Sequence, residues 1–237
     1  MKLYAYCLIE GIDSLPVPLK GVSGANVRLL KVGTFSLLVS DFPGDAVPVN
    51  RDNALAHAAT VGSFLDQTTP LPFRFGTLVT EKQLESFVTA RRDALQAKLD
   101  LVRGCVEMSV KIIQNANENG EPPAKAEAPE KPGTAFLAEK RREILNKESR
   151  AVEAKKIAGW LEDRLAKVVR ETRINANPTE KLLLAAAHLV ERSCVEQYRE
   201  TLKELRLERP ELHFLFSGPW APYSFANIDL EFQFGVS

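Results

Sequence analysis

Three histidines, three cysteines and a few clustered carboxylates are the residues of this 237-residue chain that could do chemistry, and their spacing decides which kinds are open to them. His57, His188 and His213 stand far apart, with no His-x-x-x-His pair and no Cys/His alternation, so no local metal-ligand set exists and no metal is expected. They read as core or surface histidines. Cys7, Cys105 and Cys194 are odd in number and form no Cys-x-x-Cys, which fits reduced thiols of a cytosolic protein serving as small core residues. Glu208 and Glu211 flank Pro210, a pattern of a solvated turn rather than of an acid–base pair. No nucleophile elbow, dinucleotide fingerprint or phosphate loop occurs, and the Gly21–Gly24 stretch reads as a turn. No catalytic or cofactor-binding residue is assigned, and no enzyme activity is expected.

One stretch concentrates unusual chemistry. Residues 69–79 read TPLPFRFGTLV, placing Arg74 between two phenylalanines ahead of Gly76. Such an arginine could hold a phosphate, stack on a base or complete an ion pair. No glycine-rich cradle accompanies it, which disfavours the first. Pro70 and Pro72 exclude helix, so the segment runs extended, with Phe73 and Phe75 on one face of the following strand and Arg74 on the other. Gly76 allows a bend or a close backbone approach. The partner expected for Arg74 is a carboxylate on a neighbouring element, with Glu107 first and Glu85 second.

The elements that position these residues follow from periodicity. Residues 3–9 alternate with apolar side chains on both faces, Leu3, Ala5, Cys7 and Ile9 against Tyr4, Tyr6 and Leu8, as in a central strand. Residues 27–31 and 35–42 form a hairpin about Gly33. A helix over 53–66 buries Ala54, Ala58, Val61 and Leu65 behind an Asp52 or Asn53 cap. Thr80 and Gln83 make a capping box for one helix that runs to a stop at Gly104. Residues 106–112 alternate as a strand whose polar face carries Glu107.

Residues 115–133 hold four prolines and no large apolar side chain, which marks a flexible linker. A helix over about 134–174 follows, with eleven Lys or Arg and seven Asp or Glu between 139 and 173. Its acids interleave with its bases as on a solvent-facing helix. A buried strand over 182–190, a helix capped by Ser193 and Glu196, a strand through Leu212, Phe214 and Phe216, and a final strand over 228–234 complete the chain. The expected fold class is α+β: two small domains with antiparallel sheets covered by helices, ferredoxin-like or related, plus one long charged helix. The expected division is 1–114, linker 115–133, and 134–237.

Thirty-one basic and thirty-one acidic residues cancel, so no overall attraction to nucleic acid or anionic lipid is expected. The apolar run 182–190 is broken by His188 and falls far short of the ~20 residues that span a bilayer. The N-terminus reads as a strand rather than a signal peptide, so neither secretion nor membrane insertion is expected. The alternative kept open is a nucleic-acid-binding α+β module, in which Trp220 and Tyr223 of GPWAPYSF would stack on bases.

Four stretches, in this order, resemble the GvpL/GvpF family of gas vesicle proteins: LYAYCLIE at 3–10; TPLPFRFGTLV after the helix carrying His57; LDLVRGCVEMSVKI at 99–112; and AAAHLV followed by SGPWAPYSFA near the end. GTAFLAEKR at 133–141 is similar to the family's entry into its long helix. The resemblance implies a non-enzymatic accessory protein needed to form gas vesicles, the hollow protein shells that give buoyancy. It implies binding to the hydrophobic shell protein, help in nucleating or assembling the vesicle, or a place as a minor shell component. Other gas vesicle accessory proteins are further implied partners; nucleic acid and membrane are not, and no cofactor is. The implied location is cytoplasmic, on gas vesicles. Arg74, Phe75, Gly76, Glu107, Trp220 and Tyr223 are the residues expected to form a structural motif or a partner contact.

Overall fold

The computed structural model describes residues 1–15, 17–113, 132–176, 178–179, 181–226 and 228. The linker expected at 115–133 lies outside them except for Pro132 and Gly133, which open a helix, and the strand expected at 228–234 lies outside them except for Ile228. Contacts divide the chain into two units, Met1–Glu107 with Pro219–Ser237, and Met108–Gly218. The segment from Pro219 onward, expected with the second half, therefore clusters with the first.

In the first unit β1 (Lys2–Glu10) is central, with β3 (Phe35–Phe42) antiparallel on one side and β2 (Val27–Val32) beyond it at the edge. On the other side β1 pairs with two short strands, β4 (Leu71–Pro72) and β5 (Leu78–Val79). The register of β1 against β3 shifts between Ala5 and Cys7. Simple alternation put Cys7 and Ile9 across the sheet from the tyrosines; with the bulge, they join Tyr4 and Tyr6 in one buried cluster.

Helix α1 (Arg51–Gly62) starts one residue before the expected caps, with the Asn50 side chain accepting from the Asn53 amide. Its buried residues are Asn53, His57, Thr60 and Val61, while Ala54 is exposed. Of the expected face Val61 is buried, but Ala54 is not, because the helix packs through polar side chains that need hydrogen-bond partners: Asn53 receives the Ser23 amide and donates to the Pro48 carbonyl, and His57 meets a tyrosine hydroxyl. The Thr80–Gln83 capping box forms in full and opens α2 (Glu81–Ala90). The helix expected to continue to Gly104 is broken at Arg91 (φ −116°, ψ 19°) and resumes as α3 (Arg92–Val102), and Gly104 (φ +73°) ends it.

The second unit's sheet runs β7 (Glu171–Asn175), β8 (Leu182–Glu191), β6 (Cys105–Ile113), β9 (His213–Trp220). Helix α4 (Pro132–Leu165) buries Ala154, Ile157, Leu161 and Leu165 in its later half. The helix expected to run to residue 174 stops at Leu165, and β7 pairs antiparallel with β8, Thr172 opposite His188. Val168, Val169, Thr172 and Ile174 explain the switch, since β-branched side chains favour the pleated chain over the helix. Helix α5 (Val195–Glu208) buries Tyr198, Leu202 and Leu205. Its expected Ser193–Glu196 box does not form: a 3₁₀ turn, Arg192–Cys194, leads into the helix without a side-chain cap.

Candidate functional site

The 69–79 segment crosses β1 twice. Leu71 and Pro72 pair with Leu8 and Cys7, the Phe73 amide donates to the Tyr6 carbonyl, and Leu78 and Val79 pair with Tyr4 and Leu3. Between these contacts the chain leaves the sheet in a turn, where the Thr77 amide and hydroxyl both donate to the Arg74 carbonyl. Gly76 takes φ +88°, which suits the third position of a type II turn. Phe73 and Phe75 were expected on one face of a strand, with a bend allowed at Gly76. Instead Phe73 is fully buried, Arg74 is exposed and Phe75 sits on the turn, packed against the aromatic cluster.

That cluster is centred on His57. The Gly76 amide donates to the Tyr4 hydroxyl, and this hydroxyl lies 2.8 Å from His57 Nδ1 in a hydrogen bond. Phe75, Tyr6 and Tyr223 surround the ring, with centroids 5.9, 5.8 and 6.2 Å away. Burial pushes the imidazole down to about 4, the Phe73 main chain opposing the shift, and burial raises the Tyr4, Tyr6 and Tyr223 hydroxyls. The group is neutral at pH 7, with His57 Nε2 and the Tyr223 hydroxyl buried without hydrogen-bond partners. The Tyr6 hydroxyl accepts from the Val22 amide and bonds Ser40, and it fills the space beside Gly21, where a Cβ would stand 1.9 Å from it.

The chain's end completes this unit. Ile228 donates its amide to the Pro72 carbonyl and bridges Phe73 in parallel. One turn earlier α6 (Tyr223–Ala226) begins, and Ser224 donates its amide (2.7 Å) and hydroxyl (2.8 Å) to the two carboxylate oxygens of Glu107. Glu107 is buried, not on a wet face, and this anion at a helix start satisfies donors that would otherwise be left without partners. Glu107, the first carboxylate expected to partner Arg74, accepts from Ser224 at both of its oxygens, and Arg74 is exposed.

Phe75, Gly76 and Tyr223 thus meet around His57, Glu107 holds the turn beside Tyr223, and Trp220 is 45% exposed. Sequence reasoning missed Tyr4, Tyr6 and His57 as one cluster. The signal was present: two tyrosines two apart on an otherwise aliphatic strand require hydrogen-bond partners once buried. The second unit contains its own pair, His188 Nδ1 lying 2.6 Å from the Tyr198 hydroxyl, with burial again pushing the imidazole down to about 4.

In both pairs the imidazole bonds a tyrosine hydroxyl through Nδ1, while its Nε2 is buried without a hydrogen-bond partner. Among the described residues no three His, Cys, Asp or Glu side chains converge as a metal set, and no helix is long and apolar enough to cross a membrane. The exposed chemistry is apolar. In the second unit β9 carries Leu215 and Phe216, 54% and 42% exposed, on opposite faces of a strand that, among the described residues, pairs on one side only, with β6.

The comparisons agree with this architecture. The chain is 26% identical to gas vesicle protein L of Streptomyces sp. (strain CB03234), covering 95% of this chain and 92% of the relative. It is 24% identical to gas vesicle protein F1 of Halobacterium salinarum, covering 97% and 94%. The crystal structures of GvpF from Anabaena sp. PCC7120 and Microcystis aeruginosa share the fold, each with a TM-score of 0.78 over 96% of this chain and 99% of theirs, at 19% and 20% identity. The sequence model of the gas vesicle synthesis protein family GvpL/GvpF matches residues 2–227, and the chain belongs to that family.

Proposed function

We propose that this protein is a non-enzymatic accessory factor of gas vesicle formation, located in the cytoplasm on growing vesicles, where it binds the hydrophobic shell protein and helps nucleate or assemble the shell. Family membership supports the gas vesicle role. The observation that carries the finer reading is β9, where Leu215 and Phe216 lie exposed on opposite faces of a strand that, among the described residues, pairs on one side only. Exposed apolar side chains on a strand edge suit the addition of an apolar strand, and an aggregation-prone subunit is the kind of partner such an edge keeps in solution. Arg74 and Trp220 are exposed and are further candidate contacts; Phe75, Gly76, Glu107 and Tyr223 act by holding the first unit's shape. The test is complementation of a deletion strain, scored for vesicles by electron microscopy. The wild-type chain restores vesicles, and a Leu215→Ser/Phe216→Ser chain that accumulates to the same level does not. Full restoration by that variant would exclude β9 as the working surface.

A further inference from the structure

Helix α4 carries a second exposed surface between Arg141 and Glu162, on a side other than its buried line. Ile144, Leu145 and Val152 are each more than half exposed, while the helix buries Ala154, Ile157, Leu161 and Leu165 along a different line. Leu145, Val152 and Gly159 recur every seven residues. Between them, also seven apart, stand Arg141, Glu148, Lys155 and Glu162, all exposed. Steps of four and three residues keep these positions on one stripe of about 30 Å, the spacing of a two-helix seam.

The charges on this stripe alternate plus, minus, plus, minus. Read backwards, the same pattern becomes minus, plus, minus, plus. A second α4 laid antiparallel, with the two-fold axis near Ala151 and Val152, therefore sets Arg141 against Glu162 and Glu148 against Lys155 in both halves of the contact. A parallel copy in register would set like against like. The apolar positions fit the same arrangement. Ile144 of each copy falls opposite Gly159 of the other, where open space surrounds the position a Cβ would occupy and another helix can approach closely. Val152 falls beside its own counterpart at the axis.

We infer that this stripe of α4 is a self-complementary interface through which two copies of the chain associate as an antiparallel helix pair. The charges set orientation and partner, and the apolar side chains provide the burial. The seam is short, so the dimer is reversible, with a dissociation constant of roughly 10–100 μM.

The test is analytical ultracentrifugation of the full chain across that range. Glu148→Lys/Glu162→Lys makes the stripe wholly positive, and Arg141→Glu/Lys155→Glu makes it wholly negative. All four side chains are exposed, so both variants keep the wild-type far-UV circular dichroism. The wild type dimerises, each variant alone dissociates at least about tenfold more readily, and an equimolar mixture of the two regains the dimer. Overturning results are a wild type that is monomeric throughout, variants that self-associate as the wild type does, or a folded mixture that fails to pair. A wild type that associates only when another gas vesicle protein is added would assign the stripe to a different partner and would equally overturn the proposal.

Discussion

Mild acid should weaken the first unit through His57 before its carboxylates matter. In the folded chain this imidazole titrates at about 4, against an ordinary value of 6.5, because burial among Tyr4, Tyr6, Phe75 and Tyr223 penalises its charged form. A base whose folded value is depressed takes up its proton more readily when unfolded. Its contribution is therefore intact above pH 6.5 and is lost as pH falls from 6.5 toward 4. At pH 5 the unfolded histidine is almost fully charged and the folded one almost wholly neutral, which amounts to about 2 kcal/mol; at pH 4 the loss reaches about 3 kcal/mol. First-unit carboxylates held below their usual range, Asp13 and Asp100, add their losses at lower pH, so pH 5 separates the two causes. The assay is urea unfolding at pH 7.5 and 5, followed by far-UV circular dichroism, with His57→Gln compared against the wild type. His57→Gln should reduce the drop between the two pH values by about 2 kcal/mol. An unchanged drop in that variant would refute the argument from burial.

Other expectations rest on single contacts. Gly76→Ala forces a side chain onto φ +88° in otherwise open space, so it should cost about 1–2 kcal/mol by thermal denaturation, from backbone strain alone. Gly21→Ala drives a Cβ into the Tyr6 hydroxyl and should cost about 1–3 kcal/mol, partly relieved in combination with Tyr6→Phe. Glu107→Ala leaves the Ser224 amide without its acceptor and should cost about 1–3 kcal/mol, whereas exposed Arg74→Ala should cost under about 1 kcal/mol; chemical denaturation of the two variants side by side checks the contrast.

What could be read from the sequence was local. The hairpin of β2 and β3, the Thr80–Gln83 cap, the stop at Gly104 and the buried strand β8 all follow from turn chemistry and periodicity, which act over a few residues. What could not be read depended on partners distant in sequence. Nothing in the order Leu3 to Ile9 announces a bulge, which exists because β3 and the 69–79 segment must both pair with β1. The polar underside of α1 makes sense only once Tyr4 and Ser23 lie beneath it. Arg74 drew attention by its neighbours, yet its exposure is set by a turn whose geometry comes from Gly76 and the Tyr4 hydroxyl. Of the candidate residues, Phe75, Gly76 and Tyr223 lie about a histidine that spacing rules had set aside, a grouping that depends on the fold and not on local sequence.

The measurement that bears most directly on the proposed function is the affinity of the purified chain for the hydrophobic shell protein, compared with the Leu215→Ser/Phe216→Ser variant. Both side chains are substantially exposed, so the variant should melt at the wild-type temperature. Wild-type binding weakened at least about tenfold by the double substitution is the predicted result, equivalent to about 1.4 kcal/mol at the β9 edge. Equal affinity in the two chains, or no binding by the wild type, would contradict it.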